Sequence, residues 1–135
     1  MLKTKAILKD SPIFSTFAVD DVAKAKRFYG DTLGLDVRDA EMEGLIEIHS
    51  GNRPPVTVYP KPDHKPAVFT VLNFPVDDVE QVVDSLTAAG VRFEQYDTPD
   101  MKTNQKGIMH GTGPDIAWFR DPAGNILSVI GKNRS

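Results

Sequence analysis

The feature that most limits how this chain can fold is an internal echo. Phe17-Ala18-Val19-Asp20-Asp21-Val22 returns as Phe74-Pro75-Val76-Asp77-Asp78-Val79. Each copy starts in a β-branched, aromatic run and passes through an acidic pair suited to capping a helix. Val22, Ala25, Phe28 and Tyr29 then recur at helical spacing, as do Val79, Val82, Val83, Leu86 and Ala89. Glycine closes both: Gly34 leads into Leu35-Asp36-Val37, and Gly90 into Val91-Arg92-Phe93. Strand, cap, helix, glycine and strand therefore occur twice in the same order, which predicts two copies of one structural unit.

The rest of the chain supplies the further strands such units need. Gly44 to His49 alternates, with Ile46 and Ile48 on one face and Leu45, Glu47 and His49 on the other. Val56 to Tyr59 is short and β-branched. Ala117 to Phe119 and Ile126 to Ile130 flank Asp121-Pro122-Ala123-Gly124, where Pro presets one turn position and Gly can take positive φ. This reads as a hairpin. Residues 1–12 read as a lead-in segment or an edge strand. The proline-bearing stretch 61–67 reads as the link between a first unit at 13–60 and a second at 68–131. Residues 98–113 form a long polar, glycine-rich loop, either a variable surface loop or a lid, with Lys106 and His110 as its candidate lid residues.

Three motifs in this order are similar to one known family. They are Phe28-Tyr29 at the end of the first helix, the Leu33-Gly34-Leu35 turn, and Asp121-Pro122-Ala123-Gly124-Asn125 in the closing hairpin. Together they resemble the vicinal oxygen chelate superfamily, which includes glyoxalases, bleomycin-resistance proteins and extradiol dioxygenases. The resemblance covers about residues 13 to 131. It implies an α+β fold in which two βαβββ modules form a curved, cup-shaped mixed β-sheet. Metal-dependent members hold a divalent ion in the cup with His or Gln from the first strand of each module and Glu from the last. Carried onto this chain, the first-strand positions fall on Phe14 and Val71. The last-strand position of module two falls on Ser128, and that of module one on Thr57, or on Tyr59 of the same face. None offers an imidazole or a carboxylate, the groups that suit such ions. The expectation is therefore that no metal is bound there and that no cofactor is needed.

Strand alternation then predicts the lining of the cup: Phe14, Thr16 and Ala18; Thr57 and Tyr59; Val71 and Asn73; and Ile126, Ser128 and Ile130. Phe17, Val19, Leu72, Phe74, Val76, Leu127 and Val129 should face the helices. An apolar surface with a few polar groups suits a small-molecule pocket, unless the cup is filled by its own side chains. Trp118 is either a stacking wall for such a ligand or a core residue.

Three functions compete. The first is a metal-independent protein binding a small, partly aromatic molecule through Phe14, Thr16, Thr57, Tyr59, Val71, Asn73, Trp118 and Ser128. The second is a lyase, isomerase or dioxygenase with a divalent metal at a shifted site near Glu47, His49 and His110. Glu47 and His49 share a strand face and alternatively form an acid/base pair or solvated edge residues. The third is a module acting through association, since two-module members often pair as homodimers. Composition narrows the field. Over 135 residues, 40% are apolar, 26% are charged and the net charge is −3. With no basic run, nucleic acid is not an expected partner. Without an apolar span or a signal-like segment, a membrane is not expected either, and the default location is the cytoplasm. The absence of cysteine removes thiol and disulfide chemistry.

Overall fold

The structure, a computed structural model, describes residues 7–132. Most of the lead-in segment lies outside the described residues, and the part inside, 7–12, contains no strand. The first unit runs β1 (Thr16–Val19), α1 (Val22–Arg27), a π-helical turn (Phe28–Thr32), β2 (Asp36–Asp39), β3 (Ile46–His49) and β4 (Val56–Pro60). The second runs β5 (Thr70–Val76), α2 (Val79–Ala88), β6 (Ile108–Met109), β7 (Ile116–Arg120) and β8 (Ile126–Gly131). Each unit is βαβββ, and each builds a four-stranded sheet with the same order: β1-β4-β3-β2 and β5-β8-β7-β6. The first strand pairs in parallel with the last, and the other pairings are antiparallel. The sheets are separate, with β1 and β5 each at an edge.

The caps work as the echo predicts. Asp21 accepts from the Lys24 amide and Asp78 from the Gln81 amide, both at 3.1 Å. Each satisfies a donor that the first helical turn leaves unpaired. The first helix does not keep one pitch to its end. It widens into the π-helical turn at Phe28, and this turn seats Tyr29 in the core with no exposure.

Val19, Leu127 and Val129 are buried on the helix side, and Phe17, Leu72, Phe74 and Val76 pack against them. Phe119 sits at the centre with rings from both units around it: Phe28 at 6.4 Å, Phe74 at 6.5 Å and Phe93 at 5.3 Å. One apolar core thus joins the two sheets through their helix-facing sides.

The second unit departs from the expected echo after Gly90. No strand forms at 91–93. Phe93 makes a single bridge to Phe119, and the Glu94 amide donates to the Trp118 carbonyl at 2.8 Å. The chain then leaves the sheet and rejoins it as β6, which pairs with the next residues of β7, Ala117 and Ile116. The edge strand is therefore interrupted by an excursion. Gly107 closes it at φ 87°, and a Cβ there would lie 2.8 Å from the Glu94 carbonyl oxygen. Only glycine fits both the dihedral and the approach.

Candidate functional site

Three side chains stand in a row across the second sheet, on the face away from α2. Asn73 pairs with Ser128 across β5 and β8, and Ser128 pairs with Trp118 across β8 and β7. Ser128 is fully buried, and its hydroxyl donates to Asn73 Oδ1 at 2.5 Å. That bond occupies the amide oxygen and leaves the Asn73 NH₂ as a donor on an exposed residue. Tyr96, from the excursion, meets the Trp118 ring edge-on at 5.8 Å. The geometry thus combines an aromatic wall, an oriented amide and the apolar neighbours Ile116, Ile126 and Ile130 on the same face. Tyr96 was not legible as a site residue, because its position depends on where the loop folds back.

The other predicted cup residues fall elsewhere. Thr16 and Thr57 are partners across β1 and β4. Phe14 precedes β1 and is 61% exposed. Tyr59 and Val71 both line a hollow of about 430 Å³ at the seam between the units, with Phe17, Ala18, Asn125 and linker residues such as Lys61 and His64. Val71 departs from the alternation because β5 bulges there: Thr70 pairs with Ile126 and Leu72 with Leu127, so Val71 has no partner of its own.

The first sheet carries polar groups on the corresponding face. Glu47 lies between Thr57 and Arg38, and His49 lies opposite Asp36. His49 Nε2 and Glu47 Oε1 are 2.9 Å apart, and both side chains are partly shielded. Arg38 donates twice to Asp36, and this hydrogen bonding holds the Asp36 carboxyl below its usual range. His110 does not join them. It pairs instead with Asp115 at 2.9 Å. Lys106 is tied to Glu80 and Asp84 of α2 at 2.8 and 3.0 Å, on the opposite side of the sheet from Ser128. These ion pairs hold its ammonium above its ordinary pKa.

The family resemblance implies a divalent metal, and the side chains do not fit one. Phe14 and Val71 have no donor atom, Thr57 and Tyr59 are neutral hydroxyls, and the Ser128 hydroxyl is engaged by Asn73. Among the described residues, no three His, Asp or Glu side chains gather into a group able to hold an ion. None of the described helices is long and apolar enough to cross a membrane.

The closing hairpin does structural work that its motif alone does not disclose. Asp121 is 4% exposed and accepts from the amides of Ala123 and Asn125, the Asn125 side chain and the Tyr29 hydroxyl. Asn125 also donates to the Ala18 carbonyl at 2.8 Å. The turn of the second unit therefore grips the helix and first strand of the first.

Solved structures with this architecture include a glyoxalase/bleomycin resistance protein/dioxygenase superfamily member from Sphaerobacter thermophilus, at 23% identity and TM-score 0.65, covering 88% of this chain and 94% of that one. An antibiotic-binding protein from Streptomyces is 23% identical at TM-score 0.63, covering 90% and 96%. A lactoylglutathione lyase from Agrobacterium tumefaciens is 21% identical at TM-score 0.61, covering 88% and 91%. At these identities the likeness is one of fold. No curated protein matches the chain. The family profile matches residues 14–129, so the chain belongs to the Glyoxalase/Bleomycin resistance protein/Dioxygenase superfamily.

Proposed function

We propose that this protein binds a small, partly aromatic molecule without the metal typical of its family. The observation that carries this reading is the Asn73–Ser128–Trp118 row with Tyr96 set edge-on against Trp118. Stacking on the aromatic pair supplies affinity, and the oriented Asn73 amide supplies direction. An antibiotic-binding protein of the same fold is consistent with such a role. The protein acts as a homodimer in this reading. Ile13, Phe14, Val68 and Phe69 are 66–93% exposed, except Phe14 at 61%, and they precede the edge strands β1 and β5. Apolar groups beside an open strand edge suit association with a second copy.

Trp118 is the sole tryptophan, so its fluorescence reports on the site directly. A panel of aromatic small molecules is titrated against the protein while its emission and melting temperature are followed. A binder should change the emission and raise the melting temperature by mass action. Asn73→Ala and Trp118→Ala should each weaken that binder about tenfold or more, in line with the loss of one good polar or stacking contact. Unchanged affinity in both variants would place the ligand elsewhere and end this reading.

A second reading, a metal-dependent lyase, isomerase or dioxygenase, draws support from the Glu47–His49 hydrogen bond alone. It lacks a third donor beside that pair among the described residues.

A further inference from the structure

Trp118 lies within a strand, and the pairing of β7 with β8 fixes its place. Tyr96, its partner in the aromatic pair, has no such support. The last backbone hydrogen bond from its segment to β7 is made two residues earlier, from the Glu94 amide to the Trp118 carbonyl, and β6 then takes the position beside β7.

What holds Tyr96 is Thr103. The Thr103 amide donates to the Tyr96 carbonyl at 2.9 Å. In an ordinary hydrogen-bonded antiparallel pair, the return bond would run from the Tyr96 amide to the Thr103 carbonyl. Here the Tyr96 amide donates to Thr103 Oγ1 at 2.8 Å, and the same hydroxyl donates to the Tyr96 carbonyl at 3.3 Å. One side chain therefore engages both backbone groups of Tyr96, at a partly buried position where an unpaired amide is costly. Thr103 is itself fixed. Its neighbour Asn104 exchanges two hydrogen bonds with Ile108 of β6: its amide donates to the Ile108 carbonyl at 2.9 Å, and its Oδ1 accepts from the Ile108 amide at 3.0 Å. A continuous path of contacts thus runs from the sheet edge through Asn104 and Thr103 to the Tyr96 ring and Trp118. Valine has the shape of threonine and would keep the backbone bond, but it could not accept from the Tyr96 amide.

We propose that Thr103 is the positioning residue of the aromatic site: its hydroxyl sets Tyr96 edge-on against Trp118, so the wall is formed before a ligand arrives. The inference rests on the aromatic-site reading above and names what organises that site. A wall formed in advance spares the ligand the cost of ordering it.

The sole tryptophan reads the aromatic pair without any ligand. Thr103→Val should make Trp118 more accessible to acrylamide quenching and weaken its near-ultraviolet dichroism, while the melting temperature stays close to that of the unaltered protein. Thr103→Ser keeps the hydroxyl and should restore both signals. Tyr96→Ala should change them as Thr103→Val does, and the double variant no further, because both substitutions act on one contact. Should Thr103→Val not fold, Thr103→Ala removes the same hydroxyl and carries the comparison. In calorimetry, 2-naphthol should bind Thr103→Val about two- to tenfold more weakly, the worth of one aromatic pair. Trp118 signals that survive loss of the hydroxyl, or changes that add to those of Tyr96→Ala, overturn the positioning role. If only Trp118→Ala weakens naphthol, the aromatic-site reading stands and the proposal for Thr103 falls. If the Trp118 signals shift as expected but naphthol binds no form, or binds all forms alike, Thr103 holds Tyr96 as described and the aromatic-site reading fails.

Discussion

Asp121 gathers four hydrogen bonds at a site closed to water, and one comes from the other half of the molecule: the Tyr29 hydroxyl at 2.7 Å. Burial first, then the charge and hydrogen bond of Asp121, push the Tyr29 phenol far above its ordinary pKa. The sign of the consequence follows. The unfolded chain releases this proton once pH passes about 10, whereas the folded chain keeps it. Stability from this contact is therefore complete below that pH and falls as pH rises further. Tyr29→Phe should cost about 1–3 kcal/mol at neutral pH, because it leaves a buried carboxylate one donor short. Urea denaturation of the two proteins checks the cost. Repeating it at alkaline pH should show the gap between them narrowing, since the variant has no phenol to titrate. A constant gap across that range would contradict the account.

The edge strand of the second sheet shows how an element can be divided and still close. The excursion leaves after Glu94 and returns at Gly107, which lies against the same residue. Asn104 Oδ1 accepts from the Lys106 and Ile108 amides, and Lys106 reaches over to α2. Gly107→Ala demands a left-handed φ and a clash with backbone, so it should destabilise the fold by about 1–3 kcal/mol. Thermal melts would reveal this. Lys106→Ala should leave global stability nearly unchanged, since its ion pairs face solvent. Its effect should be local, as faster amide exchange within 95–107 and around Tyr96. Slower ligand association with unchanged global stability would fit that picture. A global loss comparable to Gly107→Ala would not.

At the scale of the molecule, two similar halves are joined by a shared aromatic core and the Asp121 turn, while β1 and β5 remain open at their edges. The exposed Phe14 and Phe69 beside those edges predict self-association. Sedimentation should find a dimer, and Phe14→Glu with Phe69→Glu should shift it toward monomer. Elemental analysis after exposure to zinc, manganese, nickel and iron should find no metal near one ion per chain. A stoichiometric ion would require ligands other than Phe14, Val71, Thr57, Tyr59 and Ser128.

The order of elements was legible because it is written locally. Acidic caps, helical periodicity, turn glycines and strand alternation act over a few residues, and their repetition placed Val19, Leu127 and Val129 in the core and Asn73 and Ser128 on the opposite face. The Glu47–His49 contact was legible for the same reason, since residues two apart on a strand share a face. What lay beyond the sequence depended on contacts between distant segments. The bulge that diverts Val71 arises from how β5 fits β8. The meeting of Tyr96 with Trp118 depends on the return of an excursion. The grip of Asp121 on Tyr29 joins residues at opposite ends of the chain. Local pattern sets which face a side chain occupies, but only packing of whole elements decides which side chains from different segments come together. The binding face proposed here belongs to that second kind.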